Sequence, residues 1–304
     1  MQLNTEFIKK LIDLDDPLPL IWEFLRENIW YSKNNLEDYY WQGEMETNEF
    51  EKALDQIYGT IYSKYLPYMC FNKKFNISFE EINTLIIMDG LSIREAGLLI
   101  PLLKKQGYNV EESFNFSAIP SDTLFFRDKI DYTSLKKNYN SIDIKDSDPN
   151  LTGEEELIWC RFPDAFHENI QSGKTKLSSI EKAFEKTKEI IFKILKQLNG
   201  PFIITSDHGY TRTEAGCTFN NSTNIQRELR NKFGSNRFIK MDNVNLDRLV
   251  KENVCIDYNG YYLARARNTW SVSGKYSVFS HGGVSLLECI TPHIKVTRGG
   301  SNNG

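Results

Sequence analysis

The sequence predicts an α/β fold, a mostly parallel sheet flanked by helices, with an N-terminal helical region and a cap-like insertion. Three observations carry this. Short apolar runs, in NTLIIMDG, ELIWCRFPD and FIITSDHG, alternate with stretches of helical periodicity, as expected of strands buried on both faces of a parallel sheet. Each of these runs leads into an aspartate: Asp89, Asp164 and Asp207. The stretches 1–78 and about 210–275 break the alternation, so they read as additions to the core.

Taken in order, residues 1–78 read as helical. IWEFLRENIWY and EFEKALDQIYGTIYSKYL repeat apolar residues every three or four positions, and their aromatic stripe reads as packing surface. At Asn83 the pattern changes to a strand, NTLIIMDG, followed by the helix IREAGLLIPLLKKQGY. SFNFSAIPSDTLFFRDKI gives a strand, a proline break and a helix. ELIWCRFPD is a strand ending in Pro163 and Asp164. The long helix LSSIEKAFEKTKEIIFKILKQL stops at Asn199-Gly200-Pro201. FIITSDHG is the next strand. The polar stretch 210–275, with aromatic strands such as YNGYYLARA, reads as an insertion or cap, and KYSVFSHGGVSLLECITPHIKV closes the core. The domain reading is a helical region at 1–78 and a core at 79–300. RGGSNNG reads as a flexible tail or the point where a longer protein was cut.

With 40% hydrophobic and 26% charged residues in 304, the chain can bury a large core. A net charge of -4 argues against disorder and against a broad nucleic-acid-binding face. No apolar run approaches the ~20 residues that span a bilayer, and acids near the start are unlike a signal peptide. Five cysteines stand singly without a CxxC pair, which fits buried, reduced thiols. A cytoplasmic location without membrane contact is the expectation.

Chemistry concentrates in the histidines. Of four, three lie in motif-like settings: FPDAFHE (His167), SDHG (His208) and SHGG (His281). Asp and His suit Zn²⁺ or Mn²⁺, and two ions about 3.5–4 Å apart would clamp both oxygens of a phosphoryl transfer. A hydroxyl nucleophile lies in IPSDTLFFR, where Thr123 and Ser121 both qualify at a helix start that can hold phosphate. The plainer reading of that segment is a helix N-cap. Asp-Gly and His-Gly-Gly taken alone are turn signals. Joint order lifts them above that.

This ordered set resembles the PglZ domain, a branch of the alkaline-phosphatase superfamily that also includes nucleotide pyrophosphatases and phosphodiesterases. The matching segments are LIIMDGLSIREAGLL, AIPSDTLFFR, WCRFPDAFHE, FIITSDHGYT and SHGGVSLLECITPHIKV. The resemblance implies an alkaline-phosphatase-like fold with two divalent ions, Zn²⁺ or Mn²⁺. Asp89, Asp207 and His208 would hold one ion, with Thr123 bridging toward it as nucleophile. Asp164, His167 and His281 would hold the other. The Asp164–His167 spacing is one residue shorter than in relatives, which makes Glu168 an alternative ligand. Asp122 departs from the Pro-Thr-x-Thr pattern of relatives. Arg127 falls where relatives often carry an arginine, which implies substrate binding, with pairing to a nearby acid as the alternative.

The resemblance further implies hydrolysis of a phosphodiester, a nucleotide or oligonucleotide, with partner proteins in phage defence or signalling. Arg227, Arg230, Lys232, Arg237 and Lys240 could grip a phosphate chain or form a solvated helix face. The rival reading is a degenerate phosphatase fold kept as a binding or scaffold module. A sulfatase is disfavoured because no CxPxR motif is present.

Overall fold

The computed structural model describes residues 5–31, 35–75, 79–172, 179–213, 216–242, 244–271 and 279–298, and the tail after Arg298 lies outside them. Helices α1 (Thr5–Asp13), α2 (Leu18–Phe24), α3 (Leu36–Ile57) and α4 (Leu66–Asn72) come first, with π turns at Leu25–Ile29 and Ile61–Tyr65. There follow β1 (Thr84–Met88), α5 (Ile93–Lys105), β2 (Tyr108–Phe116), α6 (Thr123–Lys129), α7 (Tyr132–Asn138) and β3 (Ser141–Ile144). Next come β4 (Leu157–Cys160), α8 (Asp164–Ser172), α9 (Ile180–Leu195) and β5 (Phe202–Ser206). Then β6 (Thr211–Arg212), α10 (Thr223–Phe233), β7 (Phe238–Lys240), α11 (Asp247–Lys251), β8 (Cys255–Tyr258), β9 (Tyr261–Ala264) and β10 (Phe279–Ser280). The chain closes with α12 (Leu286–Cys289) and β11 (Ile290–Arg298). Two compact units result: the chain to Tyr68 with Thr211–Leu286, and Met69–Tyr210 with the chain from Leu287 onward.

The second unit is a mixed α/β layer structure around a six-stranded sheet in the order β2-β11-β5-β1-β4-β3. Strands β5, β1, β4 and β3 are parallel, while β11 runs antiparallel to both β5 and β2. Alternation along a strand sends successive side chains to opposite faces, and here both faces are covered. Ile86 and Met88 of β1 join Ile158, Cys160, Ile204 and the apolar stripes of α5 and α9 in one cluster. Leu85 and Ile87 join Leu157, Trp159, Ile203 and Phe126 in the other. Full burial of each such aliphatic side chain contributes roughly 1.5–3 kcal/mol. This is why the central strands read as unbroken apolar runs.

Helix starts follow their caps. Ser92 and Glu95 form a capping box at α5, and Ser179 caps α9 by accepting from the Lys182 amide. The edge strand β3 was not expected, because Ser-Ile-Asp-Ile is short, half-buried and without a continuous apolar run.

The first unit combines the N-terminal helices with the insertion. Its three-stranded antiparallel sheet, β7-β9-β8, packs Tyr262, Ala264 and Cys255 against Leu229 and Phe233 of α10 and Leu249 of α11. A buried ionic cluster joins segments distant in sequence. Arg267 lies 2.5 Å from Glu44 and 3.7 Å from Glu51, all three side chains being fully buried. Tyr62 donates its hydroxyl to Glu51 at 2.9 Å, and Arg267 Nε donates to the Cys217 carbonyl at 2.6 Å. Arg265 pairs with Asp55 and sits over the Tyr62 ring. Arg237, read from the sequence as a phosphate-gripping candidate, is instead buried and donates to the carbonyls of Ala266 and Asn268. Arg227, Arg230, Lys232 and Lys240 are exposed.

All five cysteines are buried and free. Among the described residues no helix is long and apolar enough to cross a membrane.

Removing one partner of a buried pair leaves an uncompensated charge, which costs about 3–5 kcal/mol. Arg267→Ala is therefore expected to lower the unfolding free energy by about that amount in urea titration. A loss below about 1 kcal/mol would mean that the cluster is not desolvated in solution.

Candidate active site

Three strand ends converge at one edge of the sheet. In register, Met88 pairs with Cys160 of β4 and with Ser206 of β5, so β4, β1 and β5 terminate level with one another. Asp89 leaves β1 and Asp207 leaves β5, each one residue past its strand. Asp164 stands four residues beyond β4, as the first residue of α8. This is the carboxyl end of a parallel array, where open α/β sheets bind ligands.

Glycines allow the close approach. Gly90 has φ +75°, and a Cβ there would lie 3.1 Å from the Cβ of Asp164. Its amide donates to Asp207 Oδ1 at 3.1 Å, which also accepts from the His208 amide at 2.9 Å. The Asp164 amide donates to the Asp89 carbonyl at 3.0 Å. At Gly209 a Cβ would sit 1.9 Å from the Leu287 carbonyl oxygen, and the Gly209 amide donates to Glu288 O at 3.1 Å. The glycine of SDHG and the later SLLE segment are thus two halves of one contact.

Among the described residues, Asp89, Asp207 and His208 bring one ligand atom each within 4.8 Å of one another. His208 Nε2 lies 3.5 Å from Asp89 Oδ1 and 3.6 Å from Asp207 Oδ2. Its Nδ1 lies 2.9 Å from the Gly209 carbonyl and donates to it, which turns Nε2 toward the carboxylates. Thr123, the first residue of α6, joins this group. Its hydroxyl donates to Asp207 Oδ2 at 2.6 Å and lies 3.4 Å from Asp89 Oδ1 and 3.3 Å from His208 Nε2.

Of the two hydroxyls the sequence offered, Thr123 faces the carboxylates while Ser121 is buried. Asp122 is the N-cap of α6 and accepts from the Leu124 amide at 3.0 Å, which accounts for an acid at that position.

Electrostatics explains what the group would accept. Burial raises the Asp89 carboxyl well above its usual range, and the neighbouring charges of Asp207 and Asp164 raise it further. Burial would lower His208, but Asp207, Asp89 and Asp164 outweigh it and push the imidazole up to about 9. A proton on Nε2 therefore stands where a cation is called for. Two carboxylates and a correctly turned imidazole are a donor set for Zn²⁺ or Mn²⁺, and the residues present fit such an ion.

His167 is buried with its ring 4.5 Å from that of Tyr210, at 63°. Glu168 is exposed and pairs with Arg161 at 4.0 Å. His281 follows β10 in the other unit. The Arg127 guanidinium lies 4.2 Å from the Trp159 ring centroid and 5.1 Å from that of Tyr132.

Sequence reasoning missed a supporting layer. Glu95 accepts from Ser92 at 2.6 Å and from the Tyr210 hydroxyl at 2.7 Å, and Arg94 donates to the Tyr210 carbonyl at 2.9 Å. The Arg94 guanidinium also stacks over the Tyr210 ring. Tyr210 closes the SDHGY motif, so this network anchors the segment that carries Asp207 and His208. The Ser92-x-x-Glu95 spacing was the available signal.

A group raised in the folded state stabilises below its unfolded pKa and loses that contribution as pH climbs through the folded value. For His208 this window runs from 6.5 to about 9. In chelator, the urea midpoint of the wild-type protein is expected to fall across that window. Saturating Zn²⁺ should flatten the slope, and His208→Gln should lack it. A midpoint that stays level or rises in chelator would contradict the proposed protonation.

A family profile described as the BREX system PglZ alkaline phosphatase-like domain matches residues 145–296, half of the chain. Asp164, His167, Asp207, His208 and His281 lie inside that span, whereas Asp89 and Thr123 precede it. Comparison with curated proteins gives no match. Among solved structures, phosphonoacetate hydrolase from Sinorhizobium meliloti 1021 with phosphonoformate is 12% identical, covering 71% of this chain and 90% of that one, with a TM-score of 0.41. The same enzyme with phosphonoacetate is 14% identical, covering 47% of this chain and 46% of that one, with a TM-score of 0.27. A murine ectonucleotide pyrophosphatase/phosphodiesterase 5 with AMP is 11% identical, covering 56% of this chain and 63% of that one, with a TM-score of 0.30. The chain thus spans less than two-thirds of the latter two structures. Since the profile covers half of the sequence, including the SDHG and SHGG motifs, the chain belongs to the PglZ family of alkaline-phosphatase-like domains.

Proposed function

We propose that the chain is a metal-dependent phosphodiesterase that uses Thr123 as its nucleophile. The observation that carries this is one hydroxyl lying 2.6 Å from Asp207, 3.3 Å from His208 and 3.4 Å from Asp89. Asp89, Asp207 and His208 would hold a zinc or manganese ion, whose charge would lower the pKa of the Thr123 hydroxyl. Because Thr123 Oγ1 already donates to Asp207, a carboxylate stands ready for the proton released on attack. Attack forms the Oγ1–phosphorus bond and breaks the bond to the leaving alcohol, which departs with the proton that Asp207 took up. Water then cleaves the Thr123 adduct, restoring the hydroxyl and releasing the phosphoryl product. Arg127, which carries positive charge toward Asp89, is suited to a non-bridging phosphate oxygen.

Nucleotides or oligonucleotides are the proposed substrates, and the BREX description of the family supports a role in phage defence. The sequence resemblance assigns Asp164, His167 and His281 to a second ion. A binding or scaffold module is the second reading. It is favoured by the packing of His167 on Tyr210 and the exposed pairing of Glu168 with Arg161.

Hydrolysis of bis-p-nitrophenyl phosphate with added Zn²⁺ or Mn²⁺, alongside metal counting by mass spectrometry, separates the two readings. Thr123→Ala is expected to keep its metal and lose turnover by about 1,000-fold or more. Asp207→Asn should lose both, and His281→Ala should lose one equivalent if a second ion binds. Wild-type protein that is metal-free and inert after metal addition would favour the binding module.

A further inference from the structure

The unit formed by the chain to Tyr68 and Thr211–Leu286 holds a cavity that the phosphoesterase reading does not use. It has a volume of about 550 Å³ and is lined by Tyr58, Thr60, Ser63, Lys64, Tyr65, Tyr68 and Tyr258. That is within the range of small-ligand sites, roughly 300–1,000 Å³.

Four elements of the unit supply the lining. Tyr58 caps the end of α3, the π turn Ile61–Tyr65 supplies Ser63, Lys64 and Tyr65, α4 supplies Tyr68, and Tyr258 ends β8. A π turn inserts a residue into the helical repeat and redirects its side chains, and such turns recur at functional sites. The Tyr65 hydroxyl donates to the Asp15 carbonyl at 3.3 Å, which holds that ring in place as a wall. Tyr68 is 57% exposed.

We propose that this cavity binds a nucleotide, with the base stacked among the tyrosine rings and the phosphate at Lys64. Four phenol rings favour a planar π-system, because aromatic groups prefer offset stacking or edge contacts. A purely aliphatic ligand would make no use of the hydroxyls of Thr60 and Ser63 or of the ammonium group. Lys64 is exposed, and among the described residues it makes no ion pair or hydrogen bond, so its charge is available to an anion. Lys64 is the one cationic residue of the lining. The ligand chemistry has two sources, a free mononucleotide or one residue of a single strand.

The test is equilibrium binding of AMP and of a short oligothymidylate, in chelator, to the wild-type chain and to Tyr68→Ala, Lys64→Glu and Asp207→Asn. Tyr68→Ala and Lys64→Glu should each weaken binding by about ten-fold or more while leaving bis-p-nitrophenyl phosphate hydrolysis unchanged. Asp207→Asn should bind as wild type does. Binding of AMP would identify a mononucleotide site, and binding of the oligonucleotide alone would identify a strand site. The proposal is overturned if neither probe binds up to about 1 mM, if the Tyr68 and Lys64 variants bind like wild type, or if Asp207→Asn abolishes binding. A failure here leaves the Thr123 phosphoesterase reading intact, since that reading concerns a different unit.

Discussion

Crowded negative charge at one edge of a buried sheet is the constraint on which the rest of the second unit depends. Asp89 and Asp207 are brought together by the level ends of β1 and β5, and Asp164 follows from β4. Carboxylates desolvated side by side repel, so the folded chain must supply compensating charge. Within the protein that charge comes from the His208 imidazole, whose proton affinity rises accordingly. A divalent cation in the same position would satisfy both carboxylates and the imidazole at once, and would leave the Thr123 hydroxyl beside it. The electrostatic cost of assembling the group and its chemical use are therefore one property.

Holding such a group requires backbone to pass where side chains cannot. Gly90 and Gly209 provide that room, the first beneath Asp164 and the second against the Leu287 carbonyl. Behind them, the buried network of Ser92, Glu95, Arg94 and Tyr210 ties the start of α5 to the segment after β5. Catalytic geometry is preserved when ligating side chains are themselves held by a rigid layer of partners. In the first unit, the Arg267–Glu44–Glu51 cluster plays a comparable joining role between the N-terminal helices and the later insertion.

The central strands were legible because burial on both faces leaves an unbroken apolar run, as in Leu85–Met88 and Phe202–Ile204. Strand β3 was not, since an edge of Ser-Ile-Asp-Ile carries little pattern. Long-range joins were equally hidden: nothing local to Glu44 or Glu51 announces a partner at Arg267. At the site, the strand-end aspartates and His208 were readable from motif and order, but Thr123 and Ser121 were equivalent until packing buried one and aimed the other. Nothing in the FPDAFHE motif announced that the His167 ring packs against Tyr210. Short motifs carry residue identity well and side-chain direction poorly.

The central claim is that Asp89, Asp207 and His208 hold an ion against the Thr123 hydroxyl. A crystal structure of protein saturated with Mn²⁺, with anomalous differences collected at the manganese edge, tests this most directly. The account predicts a peak about 2.0–2.3 Å from His208 Nε2 and from one oxygen of each aspartate, with Thr123 Oγ1 beside it. A saturated protein whose anomalous signal lies elsewhere, or is absent at that position, would contradict it.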